Sequence, residues 1–260
     1  MIVKAKKRHI KDICALWSEA FGDDESKVGE YLDFLLAHFF VDEENGCVLA
    51  MASAIPLKIG NKKGRYIYAV ATDKKERGKG RSTALLEFLK EYIKENNEDF
   101  LILVPAQKTL FDFYQKRGFT IADLKIKKTS FDNTEIYKNA SINKISAKDY
   151  QKMRKNNAKN PAHWEADALD FAKKMYNGEF LSVEEDKKTI GGGFCFLKDD
   201  TLVVKEIFAQ GKDFSKVVMA LTSYFEVKKA EYSALGAIGD DFFMVYPSDF
   251  KDAYFNIALD

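Results

Sequence analysis

The sequence predicts an α/β (α+β) protein built in two lobes, and three observations carry that expectation. Between residues 66 and 93 a strand pattern runs into a glycine-bearing, cation-rich turn and then into a helical pattern. A short apolar run, Phe100-Leu-Ile-Leu-Val104, follows and reads as a buried strand closed by Pro105. From residue 143 the order of strand, turn and helix starts again, so that residues 143–153 line up with residues 3–13.

The opening elements follow from spacing. Residues 2–5 start a strand. Ile10, Ile13, Cys14, Leu16, Trp17 and Phe21 fall on helical spacing over residues 8–21. Asp23 or Asp24 then supplies an N-cap for a second helix over 25–40, with Val28, Tyr31, Leu32, Leu35 and Phe39 inward. Residues 47–59 read as a strand, and Gly60-Asn-Lys-Lys-Gly64 as a hairpin turn leading into the next. Residues 66–72 alternate aromatic and β-branched types, which suits that strand. The turn after it holds Lys74, Lys75, Arg77, Lys79 and Arg81 with Gly78 and Gly80, and Leu85, Phe88, Leu89, Tyr92 and Ile93 then mark one helical face.

Beyond Phe119 the pattern alternates through Ile121, Leu124 and Ile126 and loosens over 130–141, which places a domain junction there and gives lobes 1–132 and 133–260. In the second lobe a helix is expected from Pro161, with Trp164, Ala168, Phe171 and Met175 on one stripe. Strands at 180–185, 190–197 and 201–209, a helix over 214–229, and strands at 233–238 and 253–259 complete it. Gly191-Gly192-Gly193 precedes a strand, not a helix, and so reads as a hairpin or a close backbone approach.

Composition narrows the function classes. The chain has 260 residues, 46% apolar and 13% aromatic, enough for a substantial core and unlike a disordered tract. Lys and Arg (41) nearly balance Asp and Glu (40), which speaks against a dedicated nucleic-acid binder. Cys14, Cys47 and Cys195 are odd in number and widely spaced, as expected of a reducing compartment. The first residues lack an apolar signal region and no apolar run approaches about 18 residues, so no membrane association and a cytoplasmic location are expected. His9, His38 and His163 have no metal-ligand spacing, and no metal is expected.

The turn decides the chemistry. Strand, glycine-rich turn and helix N-terminus together make a seat for phosphate, because unpaired N–H groups converge there and the helix dipole favours negative charge. A basic surface turn is the plain alternative. The Walker loop needs Lys after its last glycine, where Arg81 stands, and the dinucleotide fingerprint needs a third glycine at 83, which is Thr. The pattern [Q/R]-x-x-G-x-[G/A] is nearly met by Arg77-Gly78-Lys79-Gly80-Arg81-Ser82. Downstream, Gln107-Lys-Thr-Leu-Phe-Asp-Phe-Tyr114-Gln-Lys-Arg-Gly118-Phe119 matches N-x-x-A-x-x-L-Y-x-x-x-G-F in register at Tyr114, Gly118 and Phe119.

With both motifs in this order, the chain resembles the GNAT superfamily of acetyl-CoA-dependent N-acetyltransferases. It departs from the pattern at Ser82, at Gln107 in place of Asn and at Leu110 in place of Ala. The resemblance implies two GNAT-like lobes, each a mixed, mostly antiparallel twisted sheet flanked by helices. It implies that residues 77–82 wrap the pyrophosphate of coenzyme A, with Gln107 also on the cofactor side. Val70, Ala71 and Thr72 would pair with the pantetheine arm as an added strand. A splay after Val70 would leave an N–H for the thioester carbonyl, and Tyr114 would act as general acid toward the thiolate. On spacing alone Tyr114 reads as a core aromatic beside Leu110 and Phe113.

The second lobe has Gln210-Gly211-Lys212-Asp213 where its phosphate turn would stand, with one glycine and an acid, and is expected to have lost the cofactor. No carboxylate lies in residues 65–71, so the general base is left among a water, Asp42, Glu43, Glu44 and a carboxylate from the second lobe, the chain's own C-terminus at Asp260 included. The acceptor is expected to be a small-molecule or peptide amine; no acidic cluster is dense enough to require a polycation. The tandem arrangement also resembles the enhanced-intracellular-survival acetyltransferases and the Fem-type aminoacyltransferases. The balanced charge and intact turn argue against the Fem-type function, and a non-catalytic acyl-CoA sensor is the remaining alternative.

Overall fold

The computed structural model describes every residue except 133–136, 159–160, 210–212, 252, 257–258 and 260. In chain order the first elements are β1 (Ile2–Lys4), α1 (Ile10–Phe21), α2 (Glu25–Leu35), β2 (Phe39–Glu44), β3 (Cys47–Ile59) and β4 (Lys62–Thr72). Then come α3 (Arg81–Glu95), β5 (Phe100–Leu103), α4 (Thr109–Gln115) and β6 (Thr120–Ile121). The remainder is β7 (Lys125–Asp132), β8 (Ser141–Lys144), α5 (Ala147–Asn157), β9 (Ala162–Trp164), α6 (Ala166–Tyr176) and β10 (Glu179–Glu185). Last are β11 (Lys188–Lys198), β12 (Thr201–Ala209), α7 (Phe214–Tyr224), β13 (Lys229–Gly236) and β14 (Met244–Tyr246).

Two compact units result: Met1–Ala122 with Phe243–Lys251, and Asp123–Phe242 with Asp252–Leu259. The first sheet has the order β1-β2-β3-β4-β5-β14-β6, the second β7-β13-β12-β11-β10-β8. Each is mostly antiparallel, with β4–β5 parallel in the first and β12–β13 parallel in the second. The expected two-lobed α/β architecture, mixed sheets flanked by helices, is what forms.

In the first unit α3 covers one sheet face, packing Leu85, Leu86, Leu89 and Ile93 on Phe40, Ala52, Ala54, Ile67, Leu101 and Leu103. The other face lies under α1, where Trp17 meets Phe39 at 6.1 Å and Tyr68 at 5.6 Å between ring centroids. Phe39 and Phe40 thus point to opposite faces, as successive strand residues must. This corrects the expected helix over 25–40: α2 stops at Leu35 and residues 39–44 are a strand buried on both faces. A doubly buried strand gives a continuous apolar run that periodicity does not separate from a helix. The Asp24 carboxylate accepts from Ser26 N at 2.8 Å and sets the start of α2.

The lobe boundary at 132/133 also shifts. β7, expected in the first lobe, pairs residue for residue with β13. β14 enters the first sheet between β5 and β6. Both are long-range pairings that leave no local pattern in the sequence. Pro161 opens no helix; it bridges to Tyr254 ahead of β9, and the helix begins at Ala166. The expected last strand is reduced to that bridge at Tyr254, with 257–258 and 260 outside the described residues. α7 ends at Tyr224 rather than 229.

The three glycines of β11 are the expected close approach. A Cβ at Gly191, Gly192 or Gly193 would lie 2.2–2.4 Å from a backbone oxygen of a neighbouring strand. Beside them the second unit buries an ion pair completely: Arg154 Nε donates to Glu206 Oε2 at 2.8 Å, and the Tyr150 hydroxyl donates to the same oxygen at 2.6 Å. Removing one partner strands the other charge in the core, at a cost of about 3–5 kcal/mol. Glu206→Ala is therefore expected to lower the urea midpoint of unfolding sharply, and an unchanged midpoint would contradict the pairing.

Candidate active site

The site is built where β4 leaves its neighbour. β4 pairs with β5 from Gly64–Phe100 to Ile67–Leu103, and there the ladder ends, while β4 continues to Thr72 along β3 only. The parting comes three residues before the expected splay after Val70. Its cause is a β-bulge: Met51 faces Ala71 and Ser53 faces Tyr68, so Ala69 and Val70 stand opposite Ala52 alone. Ala69 holds a left-handed φ of 54°, a conformation an alanine takes only under constraint. Nothing in the residue type announces it.

Val70 is half-buried against the α3-side core, and Ala71 and Thr72 pair with Met51 and Ala50. The Thr72 hydroxyl is buried without a hydrogen-bond partner among the described residues. An orphaned hydroxyl at the end of an open strand edge is a feature a polar ligand would satisfy.

After Thr72, Asp73 accepts from Lys75 N at 2.8 Å and starts a single 3-10 turn, Lys74–Glu76. Gly78 and Gly80 both take left-handed φ, 78° and 82°, and a Cβ at either would meet nothing within 4 Å. These glycines let the chain double back into α3 and leave open space above it. The first helical bond runs from Ala84 N to Gly80 O at 2.9 Å. The N–H groups of Arg81, Ser82 and Thr83 therefore precede the intrahelical ladder and are left for an anion.

The cationic side chains behave differently from the simple basic turn the sequence suggests. Arg81 turns away into carboxylates, with Nη1 2.8 Å from Asp42, Nε 2.7 Å from Glu76 and Nη2 on Glu44. Lys79 is held by Glu76 at 2.8 Å, and Arg77 Nε donates to Thr72 O at 3.2 Å. What Arg81 offers a ligand is its amide. Burial pushes the Asp42 carboxyl up, but the hydrogen bonds and positive charges of Arg81 and the Met1 amino group together outweigh this and hold it below its ordinary range. Glu43 is paired with Arg8 at 2.8 Å and His9 at 2.9 Å. Asp42 and Glu44 are thus engaged by Arg81 at the start of α3 and Glu43 by Arg8 and His9 ahead of α1, and Asp260 lies outside the described residues.

Gln107 is exposed, and its carbonyl accepts from Leu110 N at 3.0 Å in the turn before α4. Tyr114, on α4, is buried in the core of α3, β4 and β5, edge-on to Phe113 (5.1 Å) and Phe119 (5.9 Å). Its hydroxyl makes no hydrogen bond among the described residues. Burial pushes that hydroxyl up to about 12, against a smaller downward pull from Arg117.

Arg117 is a residue that sequence reading passed over. Its guanidinium stacks 3.4 Å from the Phe113 ring centroid, reaches Thr83 Oγ1 at 2.9 and 2.6 Å, and donates to Phe113 O at 2.6 Å. It ties the end of α4, and with it Tyr114, to the first turn of α3. Among the described residues no group of three or more His, Cys, Asp or Glu is arranged to hold a metal ion, and no helix is long and apolar enough to cross a membrane.

Residues 1–122 match the family model described as an acetyltransferase (GNAT) domain. The fold is similar to a GCN5-related N-acetyltransferase from Kribbella flavida, with a TM-score of 0.70 and 13% identity over 94% of this chain and 71% of that one. It is similar to another from Anabaena variabilis, at 0.69 and 15% over 94% and 72%. A third likeness is to Eis1 from Mycobacterium abscessus, at 0.63 and 13% over 94% and 73%. No curated protein matches the sequence.

Proposed function

From the match of residues 1–122 to the acetyltransferase (GNAT) domain, we propose that this chain is an enzyme moving an acetyl group from acetyl-CoA to a primary amine. The observation that carries the reading is one continuous feature: β4 parts from β5 at Ile67–Leu103 and runs, through two left-handed glycines, into the open N-terminus of α3. An exposed strand edge suits the amide-bearing arm of coenzyme A, and the free N–H groups at 81–83 suit its diphosphate. The open space at Gly78 and Gly80 and the orphaned Thr72 hydroxyl fit such a ligand.

The thioester supplies an activated acyl carbon and a thiolate leaving group. The strand edge at 68–72 holds it against translation, and an edge N–H beside the Ala69 bulge polarises the carbonyl. Nitrogen bonds to the acyl carbon as the carbon–sulfur bond breaks, Tyr114 gives its hydroxyl proton to the departing sulfur, and the proton the acylated nitrogen sheds returns through water to the Tyr114 oxygen. Burial keeps that phenol protonated until the sulfur leaves. The amine must arrive deprotonated, and Asp42, Glu43 and Glu44, engaged around Arg81 and Arg8, are poor bases for it.

Over five strands the second sheet, β8-β10-β11-β12-β13, follows the order of β1-β2-β3-β4-β5, with a bulge opposite Phe194–Cys195 on β12 and a parallel pair that ends at Val204–Tyr232. We read it as a second lobe of the same kind without a cofactor, because Asp213 stands just before α7 where a phosphate would sit. Residues 210–212 of its turn lie outside the described residues.

Free-thiol release from acetyl-CoA across diamines, aminoglycosides, amino acids and lysine peptides tests the function. Stoichiometric thiol and an N-acetylated product are expected with at least one class. Tight acetyl-CoA binding with no thiol released by any amine would replace the enzyme with an acyl-CoA sensor.

A further inference from the structure

The strongest unused cluster lies on the α1 face of the first sheet, opposite α3. Trp17 Nε1 donates to Asp23 Oδ2 at 2.9 Å, which fixes that carboxylate beside the indole. The Trp17 ring stands edge-on to Tyr68 at 5.6 Å and 6.2 Å from Tyr31. Tyr68 is the last residue of β4 before the Ala69 bulge and the first beyond the β5 ladder, so this aromatic cluster borders the proposed reaction centre. Opposite Tyr68 on the same sheet face is Ser53, fully buried, its hydroxyl without a partner among the described residues.

The cluster already attracts an ammonium from the protein itself. Lys27 Nζ lies 5.8 Å over the Tyr31 ring, and Tyr31, with Asp23 further off, raises its basicity. Aromatic faces and a fixed carboxylate are what an alkylammonium seeks. Charge follows the same division: residues 18–33 carry six acids and one base, against five bases and two acids in residues 73–81. One side of the unit is built for a polyanion and the other for a cation.

We propose that the acceptor is an aliphatic diamine, whose non-reacting ammonium pairs with Asp23 against Trp17 and Tyr31 while its second amine reaches the strand parting beside Tyr68 and Ser53. Asp23, legible in the sequence only as a helix cap, is then a specificity-determining residue. The inference rests on the acetyltransferase reading for its chemistry, but the binding it predicts is measurable without turnover.

The test is calorimetric titration of the whole protein with diaminobutane and with butylamine, in the absence of acetyl-CoA. The diamine is expected to bind about tenfold more tightly or better, the worth of one charge-assisted bond. Asp23→Asn, which can still accept from Trp17 Nε1, should erase that preference, and Lys27→Ala, at an exposed position, should tighten diamine binding by removing the resident ammonium. Equal affinity of the two amines for the wild type, or a diamine preference that survives Asp23→Asn, would overturn the proposal. Loss of acetyl-CoA binding in a separate titration would instead refute the acetyltransferase reading and leave the diamine result standing.

Discussion

Gly80→Val is expected to weaken acetyl-CoA binding at least about a hundredfold, or about 2.7 kcal/mol, while leaving a folded protein. Gly80 sits at a φ of 82° at the entry to α3, and a β-branched residue is strained there by about 1–2 kcal/mol. Nothing within 4 Å blocks the added Cβ in the free protein, so the fold is not pried apart. That open space is where a diphosphate must lie to reach the N–H groups of Arg81, Ser82 and Thr83. The valine fills it, and hydrogen bonds to a charged ligand are worth about 1.5–3 kcal/mol each. Calorimetry should show the affinity loss with only a modest drop in melting temperature. Unchanged affinity would mean the turn is no phosphate seat.

Tyr114→Phe is expected to lower turnover by about a hundredfold with little change in stability or in the affinity for acetyl-CoA. The ring is packed on Phe113 and Phe119, and phenylalanine keeps that packing. Its hydroxyl has no protein partner among the described residues, so its removal strands nothing. With the hydroxyl pushed up to about 12, Tyr114 stays protonated over the working range. The wild-type pH–rate profile should accordingly show no alkaline limb from this residue below that value. Near-normal turnover in the variant would return Tyr114 to a purely packing role.

The features that sequence reading located are those written in local chemistry. The turn at 77–82 is legible because two glycines, a run of cations and a helical stripe stand within a few residues of one another. Tyr114 is legible through its fixed distance to Gly118 and Phe119, and Asp24 through the capping chemistry it performs. What depends on distant pairing stays hidden. β14 reaches the first sheet from more than a hundred residues downstream, and β7 pairs with β13 across most of the second unit. β2 is masked because burial on both faces erases the alternation that marks a strand. The Ala69 bulge has no residue signature, and Arg81 reads as a phosphate ligand until Asp42, Glu44 and Glu76 are seen to hold it. Asp23 shows the same limit: a capping residue type in the sequence, a carboxylate fixed beside an aromatic wall in the fold.

The central claim is that backbone amides at the opening of α3 grip the diphosphate. Amide-resolved NMR of the labelled protein titrated with coenzyme A measures this directly. Large shifts are predicted at Gly78, Gly80, Arg81, Ser82 and Thr83, with smaller ones along residues 70–72. Saturable binding that leaves those amides unmoved, with the shifts gathered elsewhere in the chain, would contradict it.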